Sequence, residues 1–584
     1  MTADTISDRQ ITTSRSRTVA GRVARRFPRE ASLAVLAGFA VSLAFNWEIV
    51  RHPKTSVLSG IGDPLLQAWE LAWNRHLFSA FGTFWTSNMF YPAKENFAFT
   101  DSLLGYLPLS FLFGNDQYAA TLRYNVAYII ACALAFIGAY VLTRQLGGNW
   151  QAAALAAVVF AWAPWRLVHN AHLNILSTGG IALALFALAR GHGYSFRSGL
   201  RLELAKPWWA AAGWLVAAWQ VTIGFAVGLP FIYLMGLLGA VIIVITIVRR
   251  RQIGWRLPVA NGVGIVVFLG VAALMSIPYL RVESIYHFTR SVKEIKDFSP
   301  PPQGLLTASP QSWLWQGSIF NDVNNLPDPA PWEKMVFPGI VVIVLALVGL
   351  FVSAWPLRVR IGLGIATAAV TILALGTTFF GGDFTYLLLW RYVPGWDALR
   401  TPGRLILWTT LLLALLAAGA VTRLTRLLAE RGPARRRRLV ALALLLPAIG
   451  ALLEGVPDQT YAAIPGIPPD LRTLFTQSHE PMLILPETPL SDFYYMIWST
   501  DGFPLIVNGN SGNFPPQYQE IVADTKNFPD QLSVAVLDQY DVHTVVVLKV
   551  AALSTPYAAA LNRPLTGLPV TKTETNDMVV FTIH

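Results

Sequence analysis

The most constraining feature of this chain is a series of apolar stretches, several of which approach or exceed the thickness of a lipid bilayer. A helix needs about 20 consecutive apolar residues to cross the hydrocarbon core. Hydrophobic residues make up 54% of the 584 residues and charged residues 13%, whereas soluble domains average about 25% charged residues. The composition therefore predicts an all-α polytopic membrane bundle.

We predict eleven transmembrane helices from the positions of these stretches. They lie at 31–49, 118–142, 150–164, 173–189, 208–226, 228–248, 257–277, 336–354, 361–378, 404–422 and 438–454. Cys132 is the only cysteine and lies in the second of them. A disulfide within the chain and a cysteine metal cluster are therefore excluded.

Arginine clusters between the spans predict the orientation of the chain. They lie before the first span and in three later connections: Arg9 to Arg29, Arg249 to Arg256, Arg358 with Arg360, and Arg423 to Arg438. With the N-terminus inside, every cluster falls on the cytoplasmic side, as the positive-inside rule requires. The net charge of +11 thus reports membrane orientation, and we predict no nucleic-acid partner.

The same orientation places the long polar segments outside the cytoplasm, namely 50–117, 278–335, 379–403 and the C-terminal tail. In the tail, 482–485 and 542–548 are rich in β-formers, and 534–540 is predicted to be a short helix. We therefore predict three regions. They are a basic cytoplasmic segment 1–30, a transmembrane domain 31–455 with long outer loops 50–117 and 278–335, and a small extracytoplasmic α/β domain 456–584.

An acidic residue, Asp63, follows the first span in the sequence Gly62-Asp63-Pro64. A carboxylate at the outer mouth of a helix bundle can act as a general base when its site is partly desolvated. The same residues also fit a helix start, with Asp63 as the N-cap and Pro64 in the first turn, and both roles can hold together. Glu70 lies two helical turns further on the same face, either as a binding-site carboxylate or on a solvated face.

Three further groups of polar residues are candidates for the outer site. Asp101 is predicted to be a second active-site carboxylate, a metal ligand or a helix cap. If 165–174 is helical, Arg166, His169 and His172 share one face and can bind a phosphate; an interfacial polar turn is the alternative. Their spacing is only a weak signal for zinc.

Arg400 and Arg404 flank Thr401-Pro402-Gly403 before the tenth span. They lie outside, against the positive-inside trend, which makes them candidates to bind an anionic headgroup or a donor phosphate or pyrophosphate. Two snorkelling side chains at a helix end would give the same pattern.

These features together resemble the GT-C superfamily of polytopic glycosyltransferases that use polyprenyl-phosphate sugars. The resemblance rests on the predicted topology, the acidic residue after the first span, the outer tail and several short segments. These segments are Gly62 to Pro64 with Trp69 and Trp73, Asn88 to Pro92, Trp165 to His172, Arg400 to Arg404, and Asn508 to Gly512.

The resemblance implies that Asp63 is the catalytic base and that the donor is a polyprenyl-phosphate-linked sugar. The superfamily often has two adjacent acidic residues where this chain has Gly62 and Asp63. We therefore predict no metal ligand among the site residues, although a divalent cation, Mg²⁺ or Mn²⁺, remains a candidate cofactor.

The expected activity is transfer of the sugar to a lipid-linked glycan, polysaccharide or protein on the outer face of the cytoplasmic membrane. A transporter or lipid-carrier flippase is the alternative, and a non-catalytic assembly protein is a third. A flippase is expected to carry ionisable residues in the middle of its spans, whereas here the charges gather at the outer ends.

Overall fold

The fold is a helical bundle followed by a smaller region of mixed helix and sheet. The structure, a computed structural model, describes residues 29–429, 442–478 and 480–584. The arginine clusters before Arg29 and between Arg431 and Arg438, and most of the predicted N-terminal segment, lie outside the described residues.

The first part of the chain contains helices α1 to α16. Their bounds are α1 29–45, α2 Trp47–Arg51, α3 Asp63–Trp73, α4 Gln117–Gln145, α5 Trp150–Trp162, α6 Leu173–Leu176, α7 Gly179–Gly191, α8 Pro207–Val221, α9 Phe225–Val248, α10 Arg256–Tyr286, α11 Val292–Asp297, α12 Ile340–Phe351, α13 Leu357–Ala374, α14 Tyr386–Tyr392, α15 Ile406–Ala429 and α16 Leu446–Glu454.

Seven helical segments of the described chain are long and apolar enough to cross a membrane. They are Gln117–Gln145, Trp150–His169, Leu173–Gly191, Phe225–Val248, Arg256–Tyr286, Leu357–Ala374 and Pro402–Leu428. The protein is therefore a multi-pass membrane protein. The other predicted ranges contain the shorter described helices α1, α8, α12 and α16, so the total of eleven spans stays a prediction.

Helix α10 continues to Tyr286, beyond residue 277 where the predicted span ends. Contacts with the first outer loop hold this extension. The Tyr279 hydroxyl donates to the Thr100 carbonyl at 3.1 Å, and Arg281 pairs with Glu95 at 3.3 Å. Pro278 lies inside α10 and does not end the helix.

The C-terminal region contains helices, a four-stranded sheet and a strand that joins it to the first outer loop. The helices are α17 Pro469–Gln477, α18 Pro489–Trp498, α19 Pro516–Asp524, α20 Gln531–Gln539 and α21 Lys549–Ala552. The strands of the chain are β1 Ser56–Leu58, β2 Tyr194–Ser195, β3 Gly199–Leu200, β4 Tyr461–Ala463, β5 Met482–Leu485, β6 Thr544–Leu548, β7 Val570–Glu574 and β8 Met578–Ile583.

The sheet has the order β5-β6-β8-β7, with β5 and β6 parallel and β8 antiparallel to its neighbours. Strands lie in both ranges predicted to be β-rich, and α20 overlaps the predicted helix 534–540 as far as Gln539. A capping box explains where α20 begins, because the Asp530 side chain accepts the Ser533 N–H and the Ser533 hydroxyl accepts the Asp530 N–H.

The first outer loop and the C-terminal region share one hydrophobic core. Strand β1 pairs with β4 in antiparallel register, and the Tyr91 N–H donates to the Ile506 carbonyl at 3.0 Å. Buried aromatic residues of the loop, such as Phe90 and Phe97, belong to the same cluster as the inner face of the sheet. The tail and the loop therefore form one packed layer above the bundle.

Candidate functional site

Asp63 is the first residue of α3 and pairs with a histidine. Gly62 occupies the N-cap position, and no side chain caps this helix end, so the predicted capping role of Asp63 was wrong. Gly62 has φ 146°, a conformation that favours glycine. The Asp63 carboxylate is instead 2.8 Å from His172 Nε2, and its side chain is 39% exposed.

The surroundings of Asp63 keep it ionised. Burial alone would raise the pKa of Asp63, but the hydrogen bond and electrostatic attraction of His172, with help from Arg404, hold it below its usual value. Asp63 is therefore ionised at neutral pH.

A second charged pair lies on the other side of His169. Arg404 Nη2 is 2.6 Å from Glu333 Oε1, and Glu333 Oε2 is 3.9 Å from His169 Nε2. The rings of His169 and His172 are 5.5 Å apart. Glu333 is buried, yet Arg404 and His169 keep its pKa well below the usual range against the effect of burial. Asp63, His172, His169, Glu333 and Arg404 thus form a continuous line of ionisable groups.

The condition of the prediction for 165–174 is not met, because this segment is not one α-helix. A 3₁₀-helix covers 164–169, a turn follows, and α6 begins at Leu173. Arg166 is buried and donates to the Leu176 carbonyl at 2.7 Å and the Thr178 hydroxyl at 3.3 Å. It braces the turn before α7.

A cavity of about 570 Å³ lies beside this line of charges. Its walls come from the start of α9, the end of α10, the segment before α15 and a turn of the C-terminal region. Arg290, Arg400 and Arg404 all line it, together with aromatic side chains such as Trp408 and Tyr279. The cavity combines cationic groups with an aromatic, largely apolar wall.

The three arginines differ in their partners. Arg404 is paired with Glu333, and Arg290 is 3.4 Å from Glu294. Within the part of the chain that the structure describes, no carboxylate lies within 4.0 Å of Arg400. Arg400 instead lies over the Phe298 ring at 5.0 Å, and burial, with the charges of Arg290 and Arg404, lowers its pKa.

Asp101 lines the cavity and caps a helix far along the chain. Its Oδ1 accepts the Phe225 N–H at 2.6 Å, at the start of α9, and its Oδ2 accepts the Asn174 amide at 2.7 Å. Burial raises the pKa of Asp101 although these bonds favour its charged form. Asp101 was predicted as a possible cap of the following helix, but it caps α9 instead.

Glu70 is buried behind this wall and lines no part of the cavity. Burial raises the pKa of Glu70 well above its usual value, and the nearby Asp101 charge adds to the shift. The structure thus encloses Glu70 in protein, and a substrate-binding role for this residue stays a prediction.

The candidate residues form two neighbouring groups. Arg400, Arg404 and Asp101 line the cavity, whereas Asp63, His169 and His172 are not among its lining residues. Arg404 joins the groups, because its charge acts on both Asp63 and Asp101.

The residues of the site do not fit a divalent-metal centre. Among residues 29–429, 442–478 and 480–584, no group of three or more His, Cys, Asp or Glu side chains is arranged to hold a metal ion. The Asp63 carboxylate is engaged by His172, and both Asp101 oxygens accept protein hydrogen bonds.

Sequence reasoning missed Arg290 and the pairing of Glu333. Arg290 lies in an outer loop, so the argument that selected Arg400 and Arg404 could also have selected it. No sequence signal joins Glu333 to Arg404, because 71 residues separate them and only the packing of the helix ends brings them together.

Comparisons with known proteins bear on the fold. Among solved structures, the arabinofuranosyltransferase AftD from Mycobacteria matches with a TM-score of 0.55 and 15% identity, over 95% of this chain and 40% of that chain. The oligosaccharyltransferase AglB from Archaeoglobus fulgidus matches with a TM-score of 0.47 and 14% identity, over 92% of this chain and 71% of that one. ArnT from Cupriavidus metallidurans matches with a TM-score of 0.36 and 15% identity, over 96% and 98%.

The matched structures are GT-C glycosyltransferases, and this chain has the GT-C fold. It spans about two fifths of the length of the arabinofuranosyltransferase. A comparison with curated proteins gives no match. The family model described as a domain of unknown function, DUF6311, matches residues 34–449, and the chain belongs to this family.

Proposed function

We propose that the protein is a membrane glycosyltransferase that moves a sugar from a polyprenyl-phosphate donor to a lipid-linked glycan, polysaccharide or protein acceptor. The reaction takes place on the outer face of the cytoplasmic membrane. The observation that carries the proposal is the hydrogen-bonded Asp63–His172 pair, joined through Glu333 and Arg404 to an arginine-lined cavity.

In the proposed reaction, Asp63 takes the proton from an acceptor hydroxyl as the acceptor oxygen bonds to the anomeric carbon. The bond between that carbon and the phosphate oxygen breaks, and the polyprenyl phosphate leaves with the electron pair. Arg290, Arg400 and Arg404 hold the phosphate, since guanidinium groups match its oxygens. Arg166 and His169, predicted for this task from sequence, are enclosed by protein and take no part in it.

The three arginines of the cavity wall are not equally available to a donor phosphate. Arg290 and Arg404 already have carboxylate partners, and Arg400 has none within ion-pair distance in the described chain. Arg400 is therefore the guanidinium most available to a phosphate oxygen. The apolar and aromatic lining suits the beginning of a prenyl chain.

Turnover by an Asp63→Asn variant tests the proposal. The full chain in lipid nanodiscs is supplied with sugar-labelled polyprenyl-phosphate pentoses and hexoses and with isolated cell-envelope glycan, and labelled product and free polyprenyl phosphate are measured. Because a general base contributes about 100-fold or more to a rate, Asp63→Asn should lower kcat by at least that factor. Asp322→Asn, an exposed aspartate of the second long outer loop, is the matched control.

Two results would contradict the proposal. Wild-type turnover by a folded Asp63→Asn variant would remove Asp63 as the base. Failure of the wild-type protein to consume any of these donors, in the presence of the glycan, would reject the transfer reaction itself.

A further inference from the structure

A cluster of amide side chains lies directly beside Asp63. The loop 59–63 and the turn 170–172 run next to each other and are joined at both ends. The Ser59 hydroxyl donates to the Asn170 side-chain oxygen, and His172 pairs with Asp63. Asn170 therefore lies in the same turn as His172, which pairs with the proposed base.

Asn170 gathers amides from two other parts of the chain. Its Nδ2 donates to Gln311 Oε1 at 2.6 Å and to Gln459 Oε1 at 2.9 Å. The Gln459 amide nitrogen donates in turn to Asn46 Oδ1 at 3.2 Å. We call Asn46, Asn170, Gln311 and Gln459 the amide cluster. The hydrogen bonds within it involve no charged side chain.

The amide cluster retains an unused donor. Asn46 and Asn170 are buried, whereas Gln311 is half-buried. The Gln311 side-chain nitrogen makes no hydrogen bond to any residue that the structure describes. The outer edge of the cluster can therefore bind a further polar group.

The space in front of Asp63 is open on this side. A Cβ atom added at Gly60 or Gly62 would meet no atom within 4 Å, so the loop before α3 borders free space. Trp313 follows Gln311 by two residues and is 57% exposed. Its backbone N–H donates to the Val456 carbonyl at 3.0 Å. The amide cluster is thus joined through Asn170 and Ser59 to the glycine-bordered loop that leads into Asp63.

We propose that the amide cluster and the Gly60–Gly62 loop bind a neutral glycan as the acceptor and present one of its hydroxyls to Asp63. An amide both donates and accepts hydrogen bonds, as a sugar hydroxyl does. An anionic glycan or a charged peptide would find no opposite charge in the cluster. The inference rests on the proposed function, which allows a lipid-linked glycan, a polysaccharide or a protein as the acceptor. It limits the acceptor to a neutral glycan.

Acceptor kinetics test this inference. The probes are a neutral oligosaccharide with an octyl tail, the same oligosaccharide with one uronate, and an uncharged peptide, each with the full chain in nanodiscs and a polyprenyl-phosphate sugar donor. Losing one hydrogen bond of about 1 kcal/mol should raise the acceptor KM of Gln311→Ala for the neutral oligosaccharide about fivefold. The donor KM should stay unchanged.

Gln303→Ala is the control, since Gln303 is exposed in the same outer loop, and it should leave both KM values unchanged. An unchanged acceptor KM in an active Gln311→Ala variant would overturn the inference, as would preference for the peptide or the uronate. If wild type consumes no donor, the proposed function fails. Saturation-transfer NMR of the octyl oligosaccharide then decides the inference separately, by binding that is retained or lost in Gln311→Ala.

Discussion

At the scale of single residues, Asp63 shows how its neighbours decide the ionisation of a carboxylate. Burial alone would raise the pKa of Asp63, but the hydrogen bond and charge of His172, with help from Arg404, hold it below its usual value. From the sequence, His172 was predicted to bind a substrate phosphate. In the structure, His172 Nε2 lies 2.8 Å from the Asp63 carboxylate. We therefore interpret His172 as a residue that positions and tunes the base.

Replacing His172 should move the acid limb of the pH–rate profile. The His172 hydrogen bond and electrostatic attraction lower the pKa of Asp63, so their loss in His172→Asn leaves burial dominant and raises this pKa. As pH falls, kcat/KM should therefore begin to drop at a higher pH in the variant than in wild type.

Steady-state rates across a pH series, with a polyprenyl-phosphate sugar as donor, measure this shift. His287→Asn is the control, because His287 is exposed and has a positive φ of 53°, which asparagine tolerates. An acid limb that stays in place in His172→Asn would show that His172 does not tune Asp63.

At the scale of elements, close helix contacts position the ends that carry the site. Helices α12 and α15 approach so closely at Gly349 that a Cβ there would lie 2.2 Å from the Leu416 carbonyl oxygen. The start of α12 follows Glu333, and the start of α15 follows Arg404. The contact between these helices therefore supports the pairing of Glu333 with Arg404.

Gly349→Ala should destabilise the bundle, since the added methyl group must push one helix away from the other. Overpacking of this kind costs about 1–3 kcal/mol. Gly362→Ala in α13 is the matched control, because its Cβ would meet no atom within 4 Å and alanine favours a helix over glycine by about 0.5–1 kcal/mol.

Thermal unfolding in detergent, followed by circular dichroism, should show a lower Tm for Gly349→Ala. The Tm of Gly362→Ala should be unchanged or higher. Equal Tm values for the two variants would mean that α12 can move away from α15 without cost.

At the scale of the whole molecule, the helices hold a polar layer on one side. The first outer loop and the C-terminal region share buried residues, and Asn170 of the turn 170–172 is hydrogen-bonded to Ser59 and Gln459. Helices α9 and α10 remain mostly exposed along their apolar length, as expected for helices that face lipid. A lipid-borne donor would meet the cavity where α9 begins and α10 ends.

Cysteine labelling should show that the polar layer faces away from the cytoplasm. Cys132 is buried, and a Cys132→Ser background supports two single-cysteine variants, Asp538→Cys in α20 and Arg358→Cys in α13, both at exposed positions. Because the arginine clusters predict a cytoplasmic Arg358, a membrane-impermeant maleimide should label intact spheroplasts only at position 538. Labelling at 358 before permeabilisation would reverse the orientation.

Helix positions could be predicted from the sequence, but their exact ends could not. Each long apolar run has only one low-energy arrangement in a bilayer, since a helix satisfies its own backbone hydrogen bonds. The end of α10 depended on long-range contacts instead, such as that between Tyr279 and Thr100. The strands at 482–485 and 544–548 followed from local β-propensity, while their parallel pairing required the folded chain.

The sequence by itself determined a multi-span helical protein with candidate acids and cations at one end, because apolar length and charge are properties of the chain. It named Asp63, His172 and Arg404 from residue type and position. Only the tertiary structure decided which of them meet. In the folded chain, Asp63 pairs with His172, and Glu333 pairs with Arg404. Arg166 and Glu70 are enclosed by protein. Such pairings depend on distances across the fold, and spacing along the chain carries no information about them.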